Sequence, residues 1–187
     1  MKKLTVLLVL MLTASISTNA QEKLNINISK SELKWSGEYS FYFGGHNGTI
    51  DFTEGYFIKT DDVITGGEFI IDMNSITCLD IESDEGKANL VDHLKNEDFF
   101  DVEKFPTAKL VITSVEYYET NQMKIYANLT IKGITLPVEF HAEANYKTRQ
   151  MVTKFKIDRQ RWGIDYNSKL RDGAIADGIG FEVTLSL

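Results

Sequence analysis

From Gln21 onward, apolar and polar residues alternate with a period of two, the spacing of strands that bury one face. Leu24, Ile26 and Ile28 alternate with asparagine and serine, and Leu33, Trp35 and Tyr39 with polar or small residues. Ile50, Phe52, Tyr56 and Ile58 fall on one face of the next run. Asp61-Asp62 supplies a turn into Val63 to Asn74, where Phe69, Ile71 and Met73 share a face. The second half is more regular. Met123, Ile125, Ala127, Leu129 and Ile131 form one apolar row, and Ile134, Leu136, Val138, Phe140, Ala142, Ala144 and Tyr146 the next. Met151, Thr153, Phe155 and Ile157, then Phe181, Val183, Leu185 and Leu187, complete the series. The pattern predicts eight or nine strands joined mostly by short polar turns.

Sequential strands with short links form an antiparallel meander, and a meander with one apolar face must pack on a second sheet or close on itself. About eight strands close into a barrel whose interior is filled by side chains or holds one small ligand. Alternation stops between Ile76 and Glu103. Here "SDEGKANLVDHLKNEDFF" places acids early and apolar residues at Leu90, Val91 and Leu94. Ser83 or Asp84 caps a short helix, with the early acids near its positive end. The expected fold is all-β: an eight-stranded antiparallel barrel with a helical excursion around residues 84–100, placed where a lid or plug would sit.

The first twenty residues stand apart from that domain. Lys2 and Lys3, the apolar run Leu4–Leu12 and the small residues up to Ala20 form the three-part pattern of a signal peptide, with cleavage after Ala20. The run is too short to span a bilayer, so no integral membrane segment is expected once it is removed. Residues 21–187 then form one domain, located in the periplasm or secreted. Losing Lys2 and Lys3 takes the net charge from −7 to −9, which disfavours nucleic acid and anionic membrane surfaces as partners. Cys78 is the single cysteine and has no basic neighbour in sequence, so it is read as buried and inert or as a target for mixed disulfides.

Candidate chemistry is sparse. His93 lies among Asp92, Asp98 and Asp101, the raw material of acid–base catalysis, but no nucleophile elbow accompanies it. The bland reading has His93 tying the helix to the barrel. His46, His93 and His141 contain no close pair of ligand spacing, so no metal site is expected. "FGGHNG" lacks the lysine and helix of a phosphate loop and reads as a turn. Aromatics, including Phe41, are plentiful on or near the strands, and the small residues Ala127, Ala142, Ala144, Gly37 and Gly67 interrupt them. Small inward residues leave room for a cavity suited to a lipid-like molecule.

Three blocks resemble the YceI family of exported bacterial proteins. "DHLKNEDFFDVEKFPTAKLVITSV" (92–115) is similar to the family's His-Leu-x-x-x-Asp-Phe-Phe segment, "NLTIKGITLPVEF" (128–140) to its Gly-x-Thr-x-Pro segment, and "GGEFIIDMNSI" (66–76) to the preceding strand. The resemblance implies a lipocalin-like barrel with an elongated apolar pocket for a polyisoprenoid or similar amphiphile, with no cofactor, metal or catalytic residue. Leu136 stands where many relatives have lysine, and Phe105 replaces tyrosine before Pro106, so the ligand's headgroup is left open. Arg159, Arg161 and Arg171 are read as facing solvent rather than a phosphate.

The expected function is non-enzymatic: sequestration or carriage of a long-chain amphiphile. Its expected contacts are Trp35, Phe52 and Tyr56 in the first strands, Phe69, Ile71 and Met73 before the excursion, and Phe99 and Phe100 within it. Ile125, Leu129, Val138, Phe140, Phe155 and Trp162 follow in the second half. The alternatives are a filled barrel acting as a stress or interaction protein, and a lipid-modifying enzyme using His93 or His46. A homodimer is compatible with the chain.

Overall fold

The structure, a computed structural model, describes residues 21–40, 43–166 and 175–187. The signal sequence, Phe41 and Arg171 lie outside the described residues. Ten strands are present: β1 (Gln21–Asn25), β2 (Glu32–Tyr39), β3 (Gly45–Thr49), β4 (Asp51–Thr60), β5 (Val63–Asp72), β6 (Thr107–Tyr117), β7 (Gln122–Ile131), β8 (Ile134–Asn145), β9 (Gln150–Asp158) and β10 (Ile175–Ser186). One helix, α1 (Asp84–Lys95), lies between β5 and β6. Among the described residues no helix is long and apolar enough to cross a membrane.

All neighbouring strands are antiparallel, in the order β1-β4-β5-β6-β7-β8-β9-β10-β2-β3. β3 and β4 are one run broken at Ile50. The first part pairs with β2 and the second with β5, and the Ile50 N–H donates to Leu33 O at 3.1 Å. The sheet therefore curls round on itself. The count is ten rather than the expected eight because this run changes partner midway and because β1 adds a strand along β4. Counted as one, β3–β4 joins β2 and β5 through β10 in a ring of eight.

The turns carry their chemistry locally. Asp61 and Asp62 both have positive φ, 49° and 66°, the conformation of a tight hairpin between strands of right-handed twist. Lys132 and Gly133, at 49° and 74°, repeat the device between β7 and β8.

Three bulges set the phase of the strands. Thr53 in β4, Thr65 in β5 and Thr113 in β6 are each the extra residue in their ladder. Each hydroxyl donates to a carbonyl across the ladder: Thr53 to Ile70 O (3.3 Å), Thr65 to Ile58 O (3.4 Å) and Thr113 to Tyr126 O (3.1 Å). An extra residue switches the face of everything after it. Phe52 points inward, but beyond Thr53 it is Gly55 and Phe57 that are buried. Tyr56 and Ile58, expected on the Phe52 face, point away from it, and the Lys23 ammonium lies 3.6 Å from the centre of the Tyr56 ring.

β8 and β9 pair only from Ala142↔Thr153 to Asn145↔Gln150 and then separate. Pro137 lies in the separated half of β8, where it faces no β9 partner. The 3₁₀ turn Arg159–Trp162 packs on β8 and buries Trp162 completely, its Nε1 donating to Leu129 O at 3.1 Å. Arg159 does not face solvent. It is 3% exposed, and its guanidinium donates to Ile164 O, Ala176 O, Ile175 O and Asp177, tying the turn to β10. Arg161 lies over the Trp162 ring.

α1 begins as the sequence indicates: the Ser83 hydroxyl caps Gly86 N–H at 3.2 Å, and Asp84 and Glu85 occupy the first turn. Leu90, His93 and Leu94 share one helical face by their i, i+3, i+4 spacing, and all three line the barrel interior. A tight turn follows, with Phe100 N–H on Leu94 O and Val102 N–H on Lys95 O, and it buries Phe99 and Phe100.

Candidate functional site

The barrel encloses a cavity of about 340 Å³, at the small end of the range for small-molecule sites. Eleven of the fourteen expected contacts line it: Trp35, Phe52, Phe69, Ile71, Met73, Phe99, Phe100, Ile125, Leu129, Phe140 and Phe155. Phe140 and Phe155 stack at 4.6 Å and 14° where β8 and β9 part, with Phe181 tilted beside them at 5.3 Å. Phe99 and Phe100 pack edge to face at 5.0 Å under α1, the expected clasp between helix and barrel.

Tyr56, Val138 and Trp162 do not line the cavity. The Thr53 bulge turns Tyr56 outward, Val138 is half-buried in the part of β8 that leaves β9, and Trp162 is consumed by the core. Ala127, Ala142 and Ala144 are buried but also lie off the wall, so they do not make the space; Gly37 is on it. Local alternation missed Phe57, because its phase depends on the bulge. It also passed over Leu90 and His93, whose signal was the helical spacing, and Ile179 and Leu185 of β10, whose signal was the alternation at the C-terminus.

Polar groups gather at one place on the wall. The Tyr39 hydroxyl lies 2.7 Å from His46 Nε2, and His46 Nδ1 lies 3.0 Å from Asp80 Oδ2. The other Asp80 oxygen accepts from Asn47 N–H at 3.1 Å and from the Cys78 thiol at 3.3 Å. Partial burial pushes the Asp80 carboxyl up, but the hydrogen bonds from Asn47, His46 and Cys78 outweigh it and hold it below its ordinary value. His46, Cys78 and Asp80 present donor atoms within 4.8 Å of one another and are the residues that could hold a metal ion. As they stand they form a hydrogen-bonded cluster that is complete without one. Cys78 is buried, as read from its neighbours. His141 lies on the exterior, edge to face with Tyr118.

The pattern of the YceI-like domain family matches residues 15–187, nearly the whole chain. The chain belongs to the YceI-like family. Among curated relatives, a UPF0312 protein of Staphylococcus aureus is 30% identical over 95 residues, covering 46% of this chain and 53% of that protein. A UPF0312 protein of Pseudomonas putida is 42% identical over 53 residues, 28% of each chain. The chain thus spans about half the length, or less, of the curated relatives it matches. The crystal structure of Burkholderia cenocepacia BcnA superposes with a TM-score of 0.70 at 17% identity, covering 86% of this chain and 98% of that one. That likeness establishes the shared YceI-like barrel, with the helical excursion and the apolar interior placed within it as described above.

Proposed function

We propose that this YceI-like barrel sequesters or carries a long-chain apolar molecule, of the polyisoprenoid or similar lipid class, across an aqueous compartment outside the cytoplasm. The observation that carries the reading is the cavity, walled almost entirely by aliphatic and aromatic side chains contributed by strands all round the barrel and by α1. Burial of a hydrocarbon tail there contributes about 0.8 kcal/mol per methylene, so a chain binds without charged contacts. The export pattern of residues 1–20 supports a periplasmic or secreted location. The excursion that carries α1 forms part of the wall and is the element that would open to admit a ligand. The reading is one of binding rather than turnover. His46 and Asp80 are paired, but the residues near them offer no recognisable nucleophile elbow.

The test is organic extraction of the purified full chain followed by mass spectrometry. A stoichiometric lipid is expected, and its removal lowers the melting temperature in a way that added isoprenoid alcohols reverse. If no lipid is recovered and no isoprenoid moves the melting temperature, the filled-barrel alternative replaces this reading.

A further inference from the structure

We propose that Nε2 of His93 is the polar anchor of the cavity, and that it hydrogen-bonds a neutral oxygen, a carbonyl or a hydroxyl, borne by the bound apolar molecule. The inference rests on the binding reading above and adds the chemistry of one subsite to it. Buried polar atoms in folded proteins are nearly always paired, because an unpaired one has lost its hydration for no return. The barrel interior follows that rule closely. Trp35 Nε1 donates to Thr77 O at 3.0 Å and Trp162 Nε1 to Leu129 O at 3.1 Å. The Tyr117 hydroxyl takes both the N–H and the carbonyl of Ile64, the Thr153 hydroxyl donates to His141 O, and Tyr39 pairs with His46. Among the described residues, the one buried side-chain nitrogen or oxygen without a partner is Nε2 of His93.

Its surroundings explain why the protein supplies nothing. The Tyr166 ring packs edge to face at 4.5 Å and the Phe99 ring at 5.9 Å. Along α1 its neighbours on the same face are Leu90 and Leu94, which line the cavity with it. An aliphatic residue at position 93 would complete that face with no polar atom to desolvate. The imidazole gains a purpose when the cargo satisfies it. A neutral imidazole presents Nε2 as a donor to a carbonyl or as an acceptor from a hydroxyl, according to its tautomer. The partner is neutral because, among the described residues, no lysine or arginine lines the cavity, and a phosphate or carboxylate there would lose its hydration without a fixed counter-charge.

The experiment uses the delipidated full chain and probes of equal chain length: a long-chain alkane, the corresponding ketone, the primary alcohol and the fatty acid. Each competes with an environment-sensitive naphthylamine dye. The ketone or the alcohol should bind on the order of three- to tenfold more tightly than the alkane, the size of one hydrogen bond inside an apolar site. In His93→Phe that ratio should fall to about one, and His93→Gln, which keeps a donor and an acceptor, should retain most of it. The ¹⁵N resonance of His93 Nε2 should move with the oxygenated chains and stay with the alkane, a readout that needs no variant to fold. Equal binding of all chains by the unmodified protein overturns the anchor and leaves the cavity reading standing. Tightest binding of the fatty acid overturns the neutral partner. Binding of none overturns the carrier reading, and the anchor with it.

Discussion

The Asp80 carboxylate accepts from the Asn47 N–H and the Cys78 thiol, and lies 3.0 Å from His46 Nδ1, where the loop before α1 meets β3. Because these contacts favour the charged form, its pKa in the folded chain lies below the model value of 3.8. A depressed carboxyl contributes stability that is fully present above the unfolded-state pKa and is lost as pH falls through the folded one. Asp80→Asn should therefore be less stable than the unmodified chain by a margin that is constant above about pH 5 and closes below about pH 4. Urea midpoints at a series of pH values measure it. A margin that stays constant down to pH 3 would assign the loss to geometry rather than charge. None of this cluster was legible locally. Cys78 was judged by Thr77 and Leu79, whereas His46 reaches it from a strand 32 positions earlier. Arg159 was misread for the same reason. Its carbonyl partners at Ile164, Ile175 and Ala176 converge only after the 3₁₀ turn meets β10.

Strands and helix were legible, and the phase within some strands was not. Period-two alternation identified the β7–β8 hairpin almost residue for residue, because no bulge interrupts its register from Gln122↔Glu143 to Ile131↔Ile134. The loss of alternation after Ile76, together with Ser83 and its following acids, located α1. In β4 the same arithmetic placed Tyr56 inside and overlooked Phe57, since a bulge inserts one residue without changing the apolar composition of the run. The inserted residue is a threonine at all three ladder bulges of β4, β5 and β6, and the hydroxyl bonding across the ladder is its recurring feature. Removing only that hydroxyl and removing the whole residue should differ sharply. Thr53→Val should cost about 1 kcal/mol, the net worth of a hydrogen bond. Deleting Thr53 realigns the strand, turning Phe57 to solvent and Tyr56 inward. The loss should then be several times larger, since a buried phenylalanine alone accounts for about 1.5–3 kcal/mol. Urea denaturation of both variants makes the comparison. Similar losses would mean that the bulge can migrate to a neighbouring residue.

For the molecule as a whole, ligand and fold share one interior, so occupancy and stability are coupled. A ligand that binds only the folded barrel raises its stability by RT ln(1 + [L]/Kd). If the cavity binds hydrocarbon by burial, each added methylene contributes about 0.8 kcal/mol, and at fixed free ligand the stability gained rises by nearly that step. For a domain of this length, 1 kcal/mol corresponds to about 2–4 °C in Tm. A series of primary alcohols of increasing chain length, held at equal free concentration below their aggregation limits, should raise the melting temperature of the delipidated chain in even steps. The steps should cease once the chain fills the roughly 340 Å³ available. Salt is a useful control, because the ion pairs Lys154–Glu182 and Lys156–Glu38 are exposed on both sides and contribute little. The increments should therefore be nearly the same at low and high ionic strength. A plateau marks an enclosed cavity of fixed size. Steps that continue unabated with chain length would mean that the tail leaves the barrel, either through the parting of β8 and β9 beside Phe140 and Phe155 or past α1. Replacing Gly37 on the wall by a bulky residue would then leave the steps unchanged, whereas in the enclosed cavity it should bring the plateau to shorter chains.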